Sequence, residues 1–190
     1  MLGWAYARSM FRATASASPQ DLLQAGIPLA HLKIGECIVS TRPLLVSTVL
    51  GSCVSVCFHH PASRTGAMFH AMLPTVSMTR DAAPSCKFVD SAMDLIVTRL
   101  TRLGIPLTGV ECKLFGGAFT IQPERKENVR HVVDVGGKNV EVARQVLADL
   151  GLKVLSEDVL GRFGRKLFFA THTGQVWMRS VRCSSPSAAG

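Results

Sequence analysis

Acidic side chains are missing from both ends of this chain. The first is Asp21 and the last is Asp158; between them 14 Lys and Arg face 13 Asp and Glu. The net charge of +8 therefore comes from the flanks, from Arg8, Arg12, Arg162, Arg165, Lys166, Arg179 and Arg182. Aromatic residues are also few, with one Tyr and two Trp. With no aromatic stacking motif and no helix-long basic stripe, the charge does not describe a nucleic-acid binder. An acidic protein surface accounts for it instead, with Arg162, Arg165, Lys166 and Arg179 expected to hold an acidic helical substrate. No apolar run approaches the roughly 20 residues of a bilayer-spanning helix, so membrane insertion is not expected. Residues 1–19 lack the continuous apolar segment of a secretory leader. Six cysteines at irregular spacing, 37, 53, 57, 86, 112 and 183, then read as reduced thiols of a cytoplasmic protein.

What is present fits one globular domain. Hydrophobic residues make up 47% of 190, enough to bury a core. Residues 1–30 read as a disordered leader, 31–183 as the domain and 184–190 as a flexible tail. Strands are expected over Ile34 to Val39, Leu44 to Val49, Cys53 to His59, Ala67 to Leu73, Val110 to Phe115, Leu152 to Leu155, Lys166 to Ala170 and Val176 to Val181. Apolar spacing of three and four predicts one helix from Phe88 to Leu103, stopped by Gly104, and another from Val140 to Leu150, stopped by Gly151. A charged loop, Gln122 to Arg130, separates strand from helix. Strands in runs with two helices interposed make an α+β fold.

The Cys53 to His70 hairpin concentrates the chemistry. Val54, Val56 and Phe58 share one face with Phe69, Ala71 and Leu73, which leaves Cys53, Ser55, Cys57 and His70 on the other. With a two-residue turn at Pro61-Ala62, Cys53 lies directly opposite His70, and opposed Cβ atoms are roughly 4.5–5.5 Å apart. An imidazole there removes the thiol proton, and the thiolate attacks a carbonyl carbon. The Gly51-Ser52 break frees backbone N–H groups that suit a developing oxyanion. A hydroxyl from Ser47 or Thr48 would orient the imidazole. The same residue types also suit plain burial, since a cysteine among valines packs as a small hydrophobe. A metal is not expected: Cys53 and Cys57 are four residues apart on one strand, roughly 13 Å, too far to share a zinc.

Leu50-Gly51-Ser52-Cys53-Val54-Ser55-Val56-Cys57, followed by Gly66-Ala67-Met68-Phe69-His70-Ala71-Met72-Leu73-Pro74, resembles the bacterial chemoreceptor glutamine deamidase family, CheD. Phe88-Val89-Asp90-Ser91-Ala92-Met93, Phe115-Gly116-Gly117-Ala118, Gly137-Lys138-Asn139, Ser156-Glu157-Asp158-Val159 and Thr173-Gly174 extend the likeness over residues 31–182. The resemblance implies a three-layer α/β/β sandwich, shared with glutamine-deamidating toxin domains. It implies hydrolysis of glutamines to glutamate and ammonia on the cytoplasmic helical bundle of methyl-accepting chemoreceptors, through a cysteine thioester and without a cofactor. It places the nucleophile on Cys53, the base on His70 and the third catalytic residue, often Thr, on Ser47, with Thr48 beside it. Leu160-Gly161-Arg162 departs from the family's paired glycines and Asn, so a differently shaped loop is expected from Asp158 to Arg165. The alternative is a non-catalytic chemotaxis adaptor that binds receptors or a CheC-type phosphatase, with which the family associates.

The remaining motifs point to less. Gly116-Gly117 lacks the Lys-Ser/Thr of a phosphate loop and reads as a close-packing turn. The histidines at 31, 59, 60, 131 and 172 are expected on the surface or in turns.

Overall fold

Alternate residues of a strand point to opposite faces, and the central strands bury side chains on both, so each face needs its own covering layer. The structure, a computed structural model, describes residues 5–6, 17–78, 85–119 and 134–181. In chain order its elements are β1 (Ala5–Tyr6), α1 (Pro19–Gln24), β2 (Leu29–His31), β3 (Cys37–Ser40), β4 (Leu45–Leu50), β5 (Val54–His60), β6 (Thr65–Phe69), a 3₁₀ turn (Val76–Met78), α2 (Val89–Arg102), β7 (Glu111–Gly116), α3 (Val135–Asp149), β8 (Val154–Val159), β9 (Gly164–Ala170) and β10 (Val176–Val181). The expected charged loop, Val132-Val133, His131, Cys183 and the 184–190 tail lie outside the described residues.

Among the described residues two five-stranded sheets form, one in the order β1-β10-β9-β4-β2 and one in the order β3-β6-β5-β7-β8. Neighbours are antiparallel except β2 with β4 and β7 with β8. Mixed sheets with a few helices make the fold α+β, as expected.

Two cores use the two faces of the second sheet. Val54, Val56, Phe58, Ala67, Phe69 and Ala71 meet Val89, Ala92, Met93, Ile96 and Leu100 of α2 and Val140, Ala143 and Leu147 of α3. On the other side Cys57, Met68 and Phe115 meet Val46, Leu50, Leu167, Phe169, Val176 and Met178 of the first sheet. The face that carries Cys53 and His70 is thus the wall of a second core. Both long helices end the same way: Gly104 and Gly151 take positive φ (+72° and +67°), and the next residues, Ile105 and Leu152, donate back to Leu100 and Leu147.

Ordered structure starts before His31. Ser18 and Asp21 cap α1 reciprocally, with Pro19 in its first turn. Leu22 and Ile27 then pack on Leu45, Ala170 and Trp177, on the outer face of the first sheet. Burying that face is what extends the folded part toward the N-terminus.

The cysteines also differ from expectation. Cys37 and Cys86 are joined as a disulfide, with Cα atoms 6.0 Å apart and 49 residues between them in sequence. Nothing local marks this pair; the approach of Cys86 to Gly35 as an antiparallel bridge brings it to β3. Among the described residues Cys53, Cys57 and Cys112 are free.

Candidate active site

The hairpin register sets which side chains can meet. Pro61 to Arg64 form a four-residue turn closed by the His60–Thr65 pair, with Arg64 at φ +51°. The loop is two residues longer than Pro61-Ala62 alone, so the pairing moves by two: Cys57 faces Met68, and Val54 exchanges both backbone hydrogen bonds with Ala71. On that register Met72 stands across from Cys53, and His70 lies on the diagonal. Diagonal neighbours are roughly 7–8 Å apart at the backbone, still within reach of long side chains. Both residues keep the face expected of them, with Cys53 packed against the inter-sheet core.

His70 is held from both sides of its own backbone. Its N–H donates to Glu36 O (3.0 Å), and its carbonyl accepts from Gly35 N–H (2.8 Å). Its ring is buried, and Nδ1 is 2.8 Å from Thr48 Oγ1. That hydroxyl also lies 2.8 Å from Leu32 O. A carbonyl only accepts, so the single hydroxyl proton goes to Leu32, and Thr48 Oγ1 accepts from Nδ1–H. The neutral ring therefore carries its proton on Nδ1. Nε2, buried and with no hydrogen-bond partner among the described residues, is left as the basic nitrogen.

Thr48, not Ser47, meets His70. Successive residues of a strand point to opposite faces, and β4 turns Thr48 inward, while Ser47 shares the outer face with Leu45. Ser47 Oγ is buried there and makes no hydrogen bond among the described residues. The signal in the sequence was the inward set Val46, Thr48 and Leu50, which puts the hydroxyl at 48 on the side of the second sheet.

The half-buried Cys53 sits on a turn fastened by backbone bonds. Gly117 N–H donates to Cys53 O (2.8 Å), Ala118 N–H to Gly51 O (2.8 Å), and Leu160 N–H to Gly116 O (2.8 Å). A Cβ at Gly116, which has φ +111°, would collide with Cys53 O, so the glycine pair is a close-packing device. Asn139 of α3 reaches the same place, donating from Nδ2 to Ser52 O (3.0 Å) and Met72 O (3.1 Å). Burial raises the Cys53 thiol above its ordinary value, with its own backbone N–H working against the shift. Burial lowers His70, opposed by the Leu32 carbonyl and by Glu36. Both shifts favour the uncharged forms, so the resting pair is thiol and neutral imidazole.

Beside this turn lies an apolar rim. Phe119, whose N–H donates to Gly161 O, is exposed, as are Leu160 and Phe163. Arg165 shapes the loop that carries the last two. It is buried, and its guanidinium donates to Asp158 Oδ1 (2.6 Å), Leu160 O (2.6 Å) and Phe163 O (3.0 Å). Arg165 is therefore committed internally and is removed from the basic set expected to grip a substrate.

Other predicted positions fall elsewhere. His59 is buried rather than exposed, beside Gly174 and 3.8 Å from Glu111, and burial lowers its pKa. Cys57 and Cys112 are fully buried, and burial pushes Cys112 up to about 12, as befits inert core thiols. Among the described residues no group of His, Cys, Asp and Glu could hold a metal, and no helix is long and apolar enough to cross a membrane.

Comparison with known proteins agrees with the motifs. The family model described as CheD chemotactic sensory transduction matches residues 72–180. A protein of Nitratidesulfovibrio vulgaris named probable chemoreceptor glutamine deamidase CheD is 49% identical over 176 residues, which is 92% of this chain and 88% of that one. That share is too large to leave out the stretch from Thr48 to His70. A protein of the same name from Oleidesulfovibrio alaskensis is 48% identical over 162 residues, 85% of this chain and 76% of that one. Among solved structures, the Bacillus licheniformis hypothetical protein YfiH is 14% identical over 75% of this chain and 60% of its own, at a TM-score of 0.44, too distant to bear on function. On the family model and these relatives together, the chain belongs to the CheD family.

Proposed function

We propose that this chain is a chemoreceptor glutamine deamidase, with Cys53 as nucleophile, His70 as base and Thr48 as the residue that orients His70. The observation that carries the reading is the Thr48–His70 bond, which leaves Nε2 as a free base on the face that carries Cys53. Relatives named for the same activity support it.

In this reading Nε2 takes the Cys53 proton as sulfur bonds to the carboxamide carbon of a glutamine side chain, and the carbonyl electrons move onto oxygen. Backbone N–H groups of the Gly51 to Cys53 turn stabilise that oxyanion. The imidazolium gives its proton to the departing nitrogen, the C–N bond breaks, and ammonia leaves behind a thioester. Nε2 then takes a proton from water, whose oxygen attacks the thioester. The C–S bond breaks, the proton returns to Cys53, and glutamate is released. The chemistry needs no metal or cofactor.

The substrate would be the helical bundle of a methyl-accepting receptor, reached on the cytoplasmic side, with Phe119, Leu160 and Phe163 as its apolar landing rim. The α2 and α3 layer, the second sheet and the first sheet are read as the α/β/β sandwich that the family resemblance implies, toxin likeness included. A CheC-type phosphatase is a proposed partner on the same ground. The adaptor alternative rests on Ser47 in the third position and on the altered Arg162 loop; the Thr48 hydroxyl beside His70 weighs against the first of these.

The test is incubation with a glutamine-bearing receptor fragment, read by mass spectrometry. An amide-to-acid shift is expected with the native chain and none with Cys53→Ala or His70→Ala. No shift with the native chain, or a shift that survives Cys53→Ala, would sink the proposal. Cells in which both variants swim normally would favour the adaptor.

A further inference from the structure

The two segments that carry Cys53 and His70 part company at the site. The Val54–Ala71 pair is the last rung between them, because beyond it Met72 and Leu73 both donate to Lys87 O instead. The carbonyls of Ser52 and Met72, one residue before Cys53 and two after His70, would then face each other with no donor. Asn139 fills that place. It is fully buried, and its single amide nitrogen gives one hydrogen to each carbonyl, at 3.0 and 3.1 Å, across sequence separations of 87 and 67 residues.

The residue type is set by this geometry. An NH₂ group has two hydrogens on one planar atom, a hydroxyl has one, and a carboxylate has none. The other end of the same side chain argues that stability alone is not its role, since Asn139 Oδ1 is buried with no hydrogen-bond partner among the described residues, a costly arrangement for a packing residue. Close approach of the helix makes the contact possible. A Cβ at Gly136 would come within 2.7 Å of Gly117 O and 2.9 Å of Ala118 O, so the start of α3 lies directly on the turn that holds Cys53.

We propose that Asn139 is a positioning residue for the Cys53–His70 pair: its carboxamide replaces the missing rung and fixes the thiol relative to Nε2. The inference rests on the reading of Cys53 and His70 as nucleophile and base. Without the clamp the two segments remain folded but their separation loosens. A displacement of about 1 Å at reacting groups costs up to about 100-fold in rate. Substrate contacts on the Phe119, Leu160 and Phe163 rim are untouched, so kcat falls and KM does not.

The experiment compares native chain, Asn139→Ala, Asn139→Asp and His70→Ala in two assays, with urea unfolding as the check on folding. One assay measures the pH dependence of Cys53 alkylation by iodoacetamide, followed on the Cys53 peptide with Cys53→Ala as blank. The other measures kcat and KM on the receptor fragment. Both Asn139 variants are expected to fold, to lose most of the His70-dependent reactivity of Cys53, and to lose about 10- to 100-fold in kcat at unchanged KM. The proposal is overturned by a folded variant with the native alkylation profile, by a loss confined to KM, or by failure of both variants to fold, which would make Asn139 a determinant of the whole fold. A native chain whose thiol reactivity depends on both His70 and Asn139 but which deamidates nothing would sustain the clamp and refute the glutamine substrate. Reactivity independent of His70 would remove both.

Discussion

The two faces of the second sheet are built from the same strands and differ in kind. The helix-facing core joins Val54, Val56, Phe58, Phe69 and Ala71 to the apolar stripes of α2 and α3, with Ser91 and Asn139 as buried polar residues on those helices. The sheet-facing side holds a comparable apolar set, but Thr48, Ser55 and His70 are buried alongside it. Ser55 Oγ and His70 Nε2 have no hydrogen-bond partner there among the described residues. Buried polar groups of that kind cost stability unless they are paired. Ser91 Oγ and Asn139 Oδ1 on the helices are in the same state among the described residues, so the difference in kind is the dry basic nitrogen of His70, which the inter-sheet side holds.

The sharpest way to break the comparison is to damage the helix-facing core alone. Phe58→Ala should lower unfolding free energy by about 3–5 kcal/mol in urea titrations. Its surviving folded fraction should keep the native pH dependence of Cys53 alkylation; a changed profile would mean that the faces are not separable. The disulfide comes next, because Cys37 and Cys86 both belong to the helix-facing side. Reduction, or Cys37→Ser with Cys86→Ser, should cost about 2–4 kcal/mol, measured by calorimetry with and without reductant. An unchanged melting temperature would remove the cross-link from the account.

On the other face, adjacent hydroxyls offer the cleanest contrast. Thr48→Val keeps shape but removes the acceptor for Nδ1–H, and should reduce kcat by about 10- to 100-fold. Ser47→Ala should leave kcat within about twofold, since its Oγ lies on the face away from His70 and has no partner among the described residues. The reverse ranking in steady-state assays would return the role to Ser47.

The smallest effect is that of pH. His70 and His59 both have pKa values lowered by burial, so the folded chain holds fewer protons than the unfolded chain below the ordinary histidine value of about 6.5. Their contribution to stability is present above that value and is lost as pH falls through the histidine range. Urea midpoints at pH 7.5 and pH 5.5 should differ in that sense, and His59→Phe should lessen the difference. A midpoint that rises on acidification would contradict the burial of both rings.

Much of this was legible in residue types. Alternation along Val54 to Phe58 and Phe69 to Ala71 foretold which side chains would share a face, and the three-and-four spacing from Phe88 and from Val140 foretold the apolar stripes; only the fold brought the two together. Arg165 shows where that reading fails. A basic residue in a basic segment suggests a surface grip, yet in the fold it ties Asp158 to the carbonyls of Leu160 and Phe163. Charge counts carry no information about partners that a loop brings round.

By itself, the sequence determined which residues could do chemistry and on which face of a strand they lie, because the period of two is a property of the chain. Tertiary structure alone decided how they meet. A four-residue turn at Pro61 to Arg64, rather than a two-residue one, moved His70 to the diagonal of Cys53. The pairing of β4 with β9 turned Thr48 inward and Ser47 outward, and a helix more than sixty residues away supplied Asn139 to the break between the strands. The physical reason is the same each time: alternation is local, whereas register and contact depend on loop closure and on packing between segments distant in sequence.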